Sequence, residues 1–329
     1  MTSNTHAIGR RSLAAIGAGL TLATAPRGAA AQDYPTRPVR LIVPFAPGGP
    51  VDVIGRALGQ RLSESWGRPV VIENRPGATG AIGTELAVRS APDGYTLVLL
   101  AASHTINPSL MPNLPFHAID SLTPVMRLAS SPSIIVVQRS FPANTLQEFL
   151  AYAKARPGQV SVGNAGVGSS NHLAAALLGF RAGVEFLHVP FQGTAGAINA
   201  LLGGQIQCTF QGSVAVQHVR SGALKALGST GATRSADLPD VPTVAETGFP
   251  GFETKAWFGL AAPANLPVPI LAKLEADVAR ELNAPALRQI LTAQSLDIEA
   301  WGSARFTESM RQELATWPEV IRAANISPN

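Results

Sequence analysis

An α/β fold in two lobes is what this sequence predicts. Three observations carry it. Short β-branched and apolar runs alternate with amphipathic helical segments along most of the chain. The succession of strand, glycine-rich loop and helix at residues 39–66 recurs at residues 160–180. The chain is also long enough, at 329 residues, that one hydrophobic core gives way to two.

The first residues do not belong to that fold. Gly9-Arg10-Arg11-Ser12 is followed by an uncharged apolar run from Leu13 to Ala25, too short to span a bilayer, and then by Ala29-Ala30-Ala31. A charged head, a short apolar stretch and a small-residue cleavage site predict a removed export signal over residues 1–31. The paired arginines fit both a twin-arginine route and an ordinary charged head. Removal takes Arg10, Arg11 and Arg27 from the 25 basic residues and none of the 21 acidic ones, leaving a net charge of +1. The whole-chain pI of 9.6 therefore misleads, and a near-neutral protein lacks the basic footprint of a nucleic-acid binder. Cys208 is the single cysteine, so an exported chain of this kind holds together by packing, without an internal disulfide or a cysteine-based metal cluster.

Val39-Arg40-Leu41-Ile42-Val43 reads as a buried strand ending at Pro44. In the helix that follows, Val51, Ile54, Leu58 and Leu62 share one face, with Arg56, Gln60, Arg61 and Glu64 opposite. Strand 70–72, the loop Arg75-Pro76-Gly77, helix 82–88 and strand 95–100 continue the alternation, which predicts a largely parallel sheet. A second series starts at Ile134-Ile135-Val136-Val137 and a helix whose capping box pairs Thr145 with Glu148. Strand 160–162, the loop Gly163–Ser170 and a helix with Leu173, Ala176, Leu177 and Phe180 inward come next, then strand 186–189 and helix 195–202. Val-Pro-Phe stands at both 43–45 and 189–191. The strand at 257–261 returns the chain to the first lobe. Pro269 suits position N1 of a helix burying Leu271, Leu274, Val278 and Leu282, and a last helix carries Phe306, Met310, Leu314, Trp317, Val320 and Ile321 past Pro318, both packing on the first lobe. The expected division is 32–131 with 253–329 in lobe one and 132–252 in lobe two.

Catalysis needs a nucleophile, an acid–base pair or a metal. His6, His104, His117, His172, His188 and His218 show no metal-ligand spacing. Gly166–Ser170 lacks the glycine of a nucleophile elbow, because Asn171 stands two places after Ser169. Gly77–Gly83 is GxxGxxG and not a dinucleotide fingerprint, and no P-loop lysine exists. No catalytic residue, metal or cofactor is expected.

The loops Phe45-Ala46-Pro47-Gly48-Gly49-Pro50-Val51-Asp52 and Gly163–Ser170 each join a strand's C-terminal end to a helix N-terminus. First-turn N–H groups there lack intrahelical partners and carry the positive end of the helix dipole, while glycines admit a ligand to the backbone. Such places bind anions. Charge-assisted hydrogen bonds contribute about 1.5 to 3 kcal/mol each, against the roughly 8 kcal/mol of micromolar affinity, so no arginine is required. Two roles are open to Asp52: stabilising the first helical turn, or orienting a water that donates to the ligand. Ser169 and Ser170 can donate hydroxyls to a ligand or cap the helix.

At these residues the sequence resembles the Bug, or TctC-like, periplasmic receptors of tripartite tricarboxylate transporters. The resemblance spans the chain after residue 31. It is carried by Tyr34-Pro35-Thr36-Arg37-Pro38-Val39, Val43–Gly49 with Asp52, Val71-Ile72-Glu73-Asn74-Arg75-Pro76-Gly77-Ala78 and Ala91-Pro92-Asp93-Gly94-Tyr95-Thr96-Leu97. His188-Val189-Pro190-Phe191-Gln192-Gly193, Leu202-Gly203-Gly204-Gln205 and Leu238–Glu246 continue it in order. It implies a type II periplasmic-binding-protein fold, two α/β lobes joined by crossover strands with a ligand cleft between them. It also implies a small carboxylate ligand, di- or tricarboxylate, acidic amino acid or aromatic acid, held between the two loops by backbone amides and bridging waters. The implied contacts are Phe45, Ala46, Gly48, Gly49 and Asp52 on one side and Gly168, Ser169 and Ser170 on the other. Gly193, Thr194 and Ala195 complete the set in a stretch that, like Ser103-His104-Thr105, varies among relatives. The partner implied is a membrane permease, and a monomeric periplasmic receptor with no enzymatic activity is expected. The alternatives are a ligand sensor serving a signalling partner and a hydrolase using Ser169 or Ser170 with His172.

Overall fold

The computed structural model describes residues 1–2, 34–191, 193–324 and 326; the export signal expected at 1–31 lies outside the described residues apart from its first two positions. In chain order the elements are β1 (Val39–Val43), α1 (Pro50–Trp66), β2 (Val70–Asn74), α2 (Ala81–Val88), β3 (Thr96–Ala101), α3 (Ser103–Leu110), β4 (Leu122–Pro132), β5 (Ile134–Gln138), α4 (Leu146–Lys154), β6 (Ser161–Asn164) and α5 (Ser170–Ala182). They continue with β7 (Leu187–Pro190), α6 (Thr194–Leu202), β8 (Cys208–Gln211), α7 (Ser213–Arg220), β9 (Leu224–Ser229), β10 (Lys255–Pro263), α8 (Val268–Asn283), α9 (Pro285–Ala293), β11 (Asp297–Gly302) and α10 (Ser303–Ala323).

The strands form two sheets, ordered β11-β4-β10-β3-β1-β2 and β7-β6-β8-β5-β9. Each is covered on both faces, which is why its inner strands are continuous apolar runs. Along β1, Leu41 and Val43 face the core under α1, α8 and α9, whereas Ile42 faces the opposite core with Trp257, Phe306 and Met310. In β5, Ile135 and Val137 point to the core with α4 and α5, and Ile134 and Val136 to the one with α6 and α7. The period of two along each strand thus serves two cores per sheet. Thr145 caps α4 as expected, accepting the Glu148 N–H at 3.2 Å, while the Glu148 carboxylate takes the Asn144 N–H at 2.7 Å.

Four expectations need correction. The sheets are mixed and not largely parallel: β2, β1 and β3 run parallel, as do β7, β6 and β8, but β4, β5, β9, β10 and β11 enter antiparallel. β5 and β10 start at the crossovers, the end at which the parallel strands finish, and so run against them. Phe180 is 45% exposed, because α5 turns Ala174, Ala175 and Leu178 into the second-sheet core and Leu173 and Ala176 elsewhere. Pro269 takes N2 of α8, after the N-cap Pro267. Finally, α10 packs only partly on the first sheet. Its Phe306 and Met310 do so, but Trp317, Val320 and Ile321 form a hydrophobic cluster with Ile106 and Leu110 of α3 and Leu173 and Ala176 of α5.

Two crossovers link the sheets. One is the single residue Ser133 between β4 and β5; the other runs from β9 to β10. Thr230 clasps both. Its N–H donates to Ser133 O at 2.9 Å, its Oγ1 accepts the Ser133 N–H at 2.9 Å and donates to Thr254 O at 2.7 Å, and its carbonyl takes the Thr254 N–H.

Candidate functional site

Strand register decides where the glycine-rich loops lie. Lys255 pairs with Pro132 and Phe258 with Ala101, so the C-terminal ends of β1, β2 and β3 stand at the end of the first sheet that the crossovers leave. Ile134 pairs with Gln211 and Ser229, which puts the C-terminal ends of β6, β7 and β8 at the end of the second sheet that the crossovers enter. The loops after β1, β2, β3, β6, β7 and β8 therefore face one another across the crevice between the sheets. Direct contact bridges it on one side: a Cβ built on Gly168 would come within 2.6 Å of Leu110 Cδ1 on α3. With φ at +76° as well, Gly168 is a position where a side chain is both strained and obstructed.

On the first sheet, Phe45, Gly48 and Asp52 are drawn into one network. Asp52 Oδ2 accepts the Gly48 N–H and Arg56 Nε, both at 2.9 Å, and its Oδ1 accepts Asn74 Nδ2 at 2.8 Å, which also reaches Phe45 O at 3.1 Å. The hydrogen bond from Arg56, helped by those from Gly48 and Asn74, outweighs burial and holds the carboxyl near pH 2. Asp52 is only 3% exposed. Its hydrogen bonds express the first-turn role, and Arg56 neutralises a charge that would otherwise repel an anion. Gly48's amide is thereby occupied and Pro50 has none, so the amides of Gly49, Val51 and Asp52 are what this tip offers. Side-chain space around Gly48 is open, and around Gly49 the nearest atom to a built Cβ is Ala46 O at 3.9 Å.

The loop 163–170 is built differently. Asn164 Oδ1 takes the Gly166 N–H at 3.0 Å, Ser169 Oγ donates to Gly166 O at 2.6 Å, and His172 Nδ1 accepts the Gly168 N–H at 3.2 Å. From below, a buried chain runs from Asn171 Nδ2 to Gln211 Oε1, from Gln211 Nε2 to Thr209 Oγ1, and from Thr209 Oγ1 to Gly163 O. The first intrahelical bond of α5 is Leu173 N–H to Ser169 O, which leaves the amides of Ser170, Asn171 and His172 without a partner among the described residues. Ser169 occupies the N-cap position, but its side chain makes no capping hydrogen bond. Since its hydroxyl is engaged at Gly166 and His172 Nδ1 at Gly168, the two do not form a nucleophile and base.

Gly193 and Thr194 start α6 beside this loop: the Phe191 N–H donates to Asn164 O at 3.0 Å, and Gly193 N–H to Phe191 O. Ala195 is exposed on the first turn. Two further neighbours fall outside the predicted contacts. Ser103 Oγ and Asn107 Nδ2 of α3 both donate to Thr79 O, at 2.9 and 3.3 Å, bringing the loop after β2 against α3. Ala78 and Thr79 there adopt left-handed φ of 46° and 51°, a conformation that neither residue type signals. The loop after β8, Gln211 to Ser213, had no glycine-rich pattern to mark it. His104 is a core residue, bonded to Ala118 O at 2.7 Å. No group of three or more metal-capable side chains occurs among the described residues.

A groove of about 340 Å³ is lined in part by Ser131, Ser213 of the loop after β8, Lys255, Ser295 and Asp297. It sits by β11 and the segment after β9, across the crossovers from β1 and β6, and none of the anion loops lines it. Its Lys255 is paired with Glu253 and Asp237 with Arg220, so it offers less to an anion than the facing helix tips.

Comparison with known proteins agrees with this architecture. Residues 54–326 match the model of the tripartite tricarboxylate transporter family receptor. Protein BugT of Bordetella pertussis is 35% identical over 315 residues, 95% of this chain and 97% of that protein. An R. palustris protein solved with adipate is 31% identical with a TM-score of 0.79, covering 90% of this chain and all of that one. MatC from Rhodopseudomonas palustris with bound malate is 34% identical with a TM-score of 0.76, covering 88% and 100%.

Proposed function

This chain belongs to the tripartite tricarboxylate transporter receptor family, and from that membership we propose that it captures a small carboxylate between its lobes and delivers it to a membrane permease. One lobe comprises residues 32–131 and 253–329, the other 132–252, and the chain works as an exported, periplasmic monomer. The observation that carries the reading is the pair of helix tips, α1 and α5, whose first-turn amides, unpartnered among the described residues, stand on facing edges of the two sheets. Anions are favoured there by the dipoles and by oriented N–H donors in a partly desolvated crevice. Phe45, Ala46, Gly48 and Gly49 shape one side with Asp52 as their internal brace; Gly168, Ser169 and Ser170 form the other, and Gly193, Thr194 and Ala195 close one end.

Malate and adipate, with which similar proteins were solved, head the candidates. The test is calorimetry on protein unfolded and refolded to strip bound ligand, titrated with di- and tricarboxylates, acidic amino acids and aromatic acids. Micromolar binding of at least one acid, lost when its carboxylate is amidated, is expected; silence across the whole panel rejects the proposal.

A further inference from the structure

His172 occupies the third position of α5, after the N-cap Ser169, and its side chain folds back so that Nδ1 accepts the Gly168 N–H at 3.2 Å. An acceptor Nδ1 means that the ring is neutral and carries its proton on Nε2. The ring is 4% exposed. His188 of β7 packs edge-on against it, with centroids 4.7 Å apart and planes inclined at 61°, and Phe186 flanks His188 at 6.4 Å. His172 Nε2 and His188 Nδ1 are buried without a partner among the described residues. An imidazolium has two N–H donors and no acceptor. Protonating His172 would therefore cancel its bond to Gly168 and set one N–H against another, inside the loop 163–170.

We infer that His172 is a positioning residue: neutral, it holds the Gly168 amide and with it the ligand loop; protonated, it releases them, so that the His172–His188 pair makes carboxylate binding acid-sensitive. This rests on residues 163–170 being a ligand loop. Three features keep the ring neutral until the medium is acid: burial, the positive end of the α5 dipole, and the second imidazole in contact. The elements packed against α5 are β6, with no titratable group, α3 with His104, which bonds Ala118 O, β7 with His188, β8 with Cys208, β10 with Lys255, and α10 with Arg305, Glu308, Arg311, Glu313, Glu319 and Arg322. Of the charged groups around it, His188 is the one that acts on His172. Burial, and for His172 also the charge of His188, holds both rings down to about 4.

The test uses the full chain with two readouts. By NMR, the Gly168 amide and the His172 ring are followed from pH 7 to 4; by calorimetry, malate affinity is measured over the same range for the wild type, His172→Leu and His172→Asn. The Asn side chain places a non-titrating acceptor near the Nδ1 position. The Gly168 amide is expected to shift with the midpoint of the His172 ring. His172→Leu should weaken malate about tenfold at pH 7, and His172→Asn should recover most of that loss. Between pH 7 and 4, where a ring titrating near 4 becomes half protonated, the wild type should lose about twofold more affinity than His172→Asn, the remaining decline being protonation of malate itself. A Gly168 amide that ignores the ring overturns the inference whatever the variants bind. So does a His172→Asn profile that parallels the wild type. A chain that binds no carboxylate rejects the receptor reading and with it the effect on binding, while a Gly168 amide that still follows the ring upholds the hold of His172 on the loop.

Discussion

Gly49 and Gly48 look interchangeable in sequence, yet they differ in what a side chain would do. Gly48 has φ of +86°, so any other residue strains the loop, whereas Gly49 is extended at φ −81° and its Cβ direction is nearly free. Gly49→Val should therefore fold normally and weaken carboxylate binding at least tenfold by blocking access to the α1 amides. Lys273→Ala on α8, whose partner Asp277 lies outside the site, should leave affinity unchanged; equal losses in the two by calorimetry would mean the pocket is misplaced. Asp52 shows the opposite case, a residue whose functional look hides a structural role. Asp52→Ala leaves Gly48 N–H, Arg56 and Asn74 without their acceptor and should cost about 2 to 3 kcal/mol in urea unfolding. Because its folded carboxyl is depressed to about 2, this contribution is complete above the unfolded value of about 3.9 and is lost as pH falls through 2.

At the scale of elements, local signals predicted those segments that sit on one strand-loop-helix unit. The capping box at Thr145 and Glu148, the apolar face of α1 and the alternation of β1 and β5 are decided by neighbours within a few residues. What escaped were α3, β4, α7, α9, β8, β9 and β11, short or mixed segments whose conformation depends on a partner far along the chain. β4 is the clearest: Arg127 lies within it, and an ionic side chain in a central strand is tolerated because Glu299 of β11 pairs with it, Glu313 of α10 lies beside it and Trp301 stacks on it. Glu313 of α10 accepts Thr105 Oγ1 and Trp257 Nε1, its carboxyl pushed up by burial. The misjudged face of α5 has the same origin, since Leu173 and Ala176 are buried by α3 and α10 and not by their own sheet. Trp317→Ala should expose that seam and cost about 3 to 5 kcal/mol by denaturant unfolding. Hydrogen exchange should rise in both α3 and α5, and a rise confined to α10 would contradict its bridging role.

For the whole molecule, stability and hinge geometry depend on groups that no local pattern reveals. His104, His172 and His188 are each held down to about 4, chiefly by burial. The unfolded chain takes up these protons first, near pH 6.5. Stability is therefore greatest above that value and declines as pH falls toward 4, by about 1.4 kcal/mol per pH unit for each ring. A urea midpoint unchanged between pH 7 and pH 5 would contradict this. Thr230→Val, which keeps shape but removes the hydroxyl clasp between the crossovers, should lower stability by about 1 to 3 kcal/mol and, by small-angle scattering, broaden the range of lobe separations. By itself the sequence determined the α/β class, the two-sheet plan, the family and the two glycine-rich loops, because hydrophobic period, capping and turn chemistry act over a few residues and are written consecutively. Only the tertiary structure decided which strands run antiparallel, that α10 spans both sheets, that Asp52 braces its own loop through Arg56 and Asn74, and that His172 holds Gly168. Those outcomes depend on burial and on partners brought close by the crossovers, and linear order does not encode such proximity.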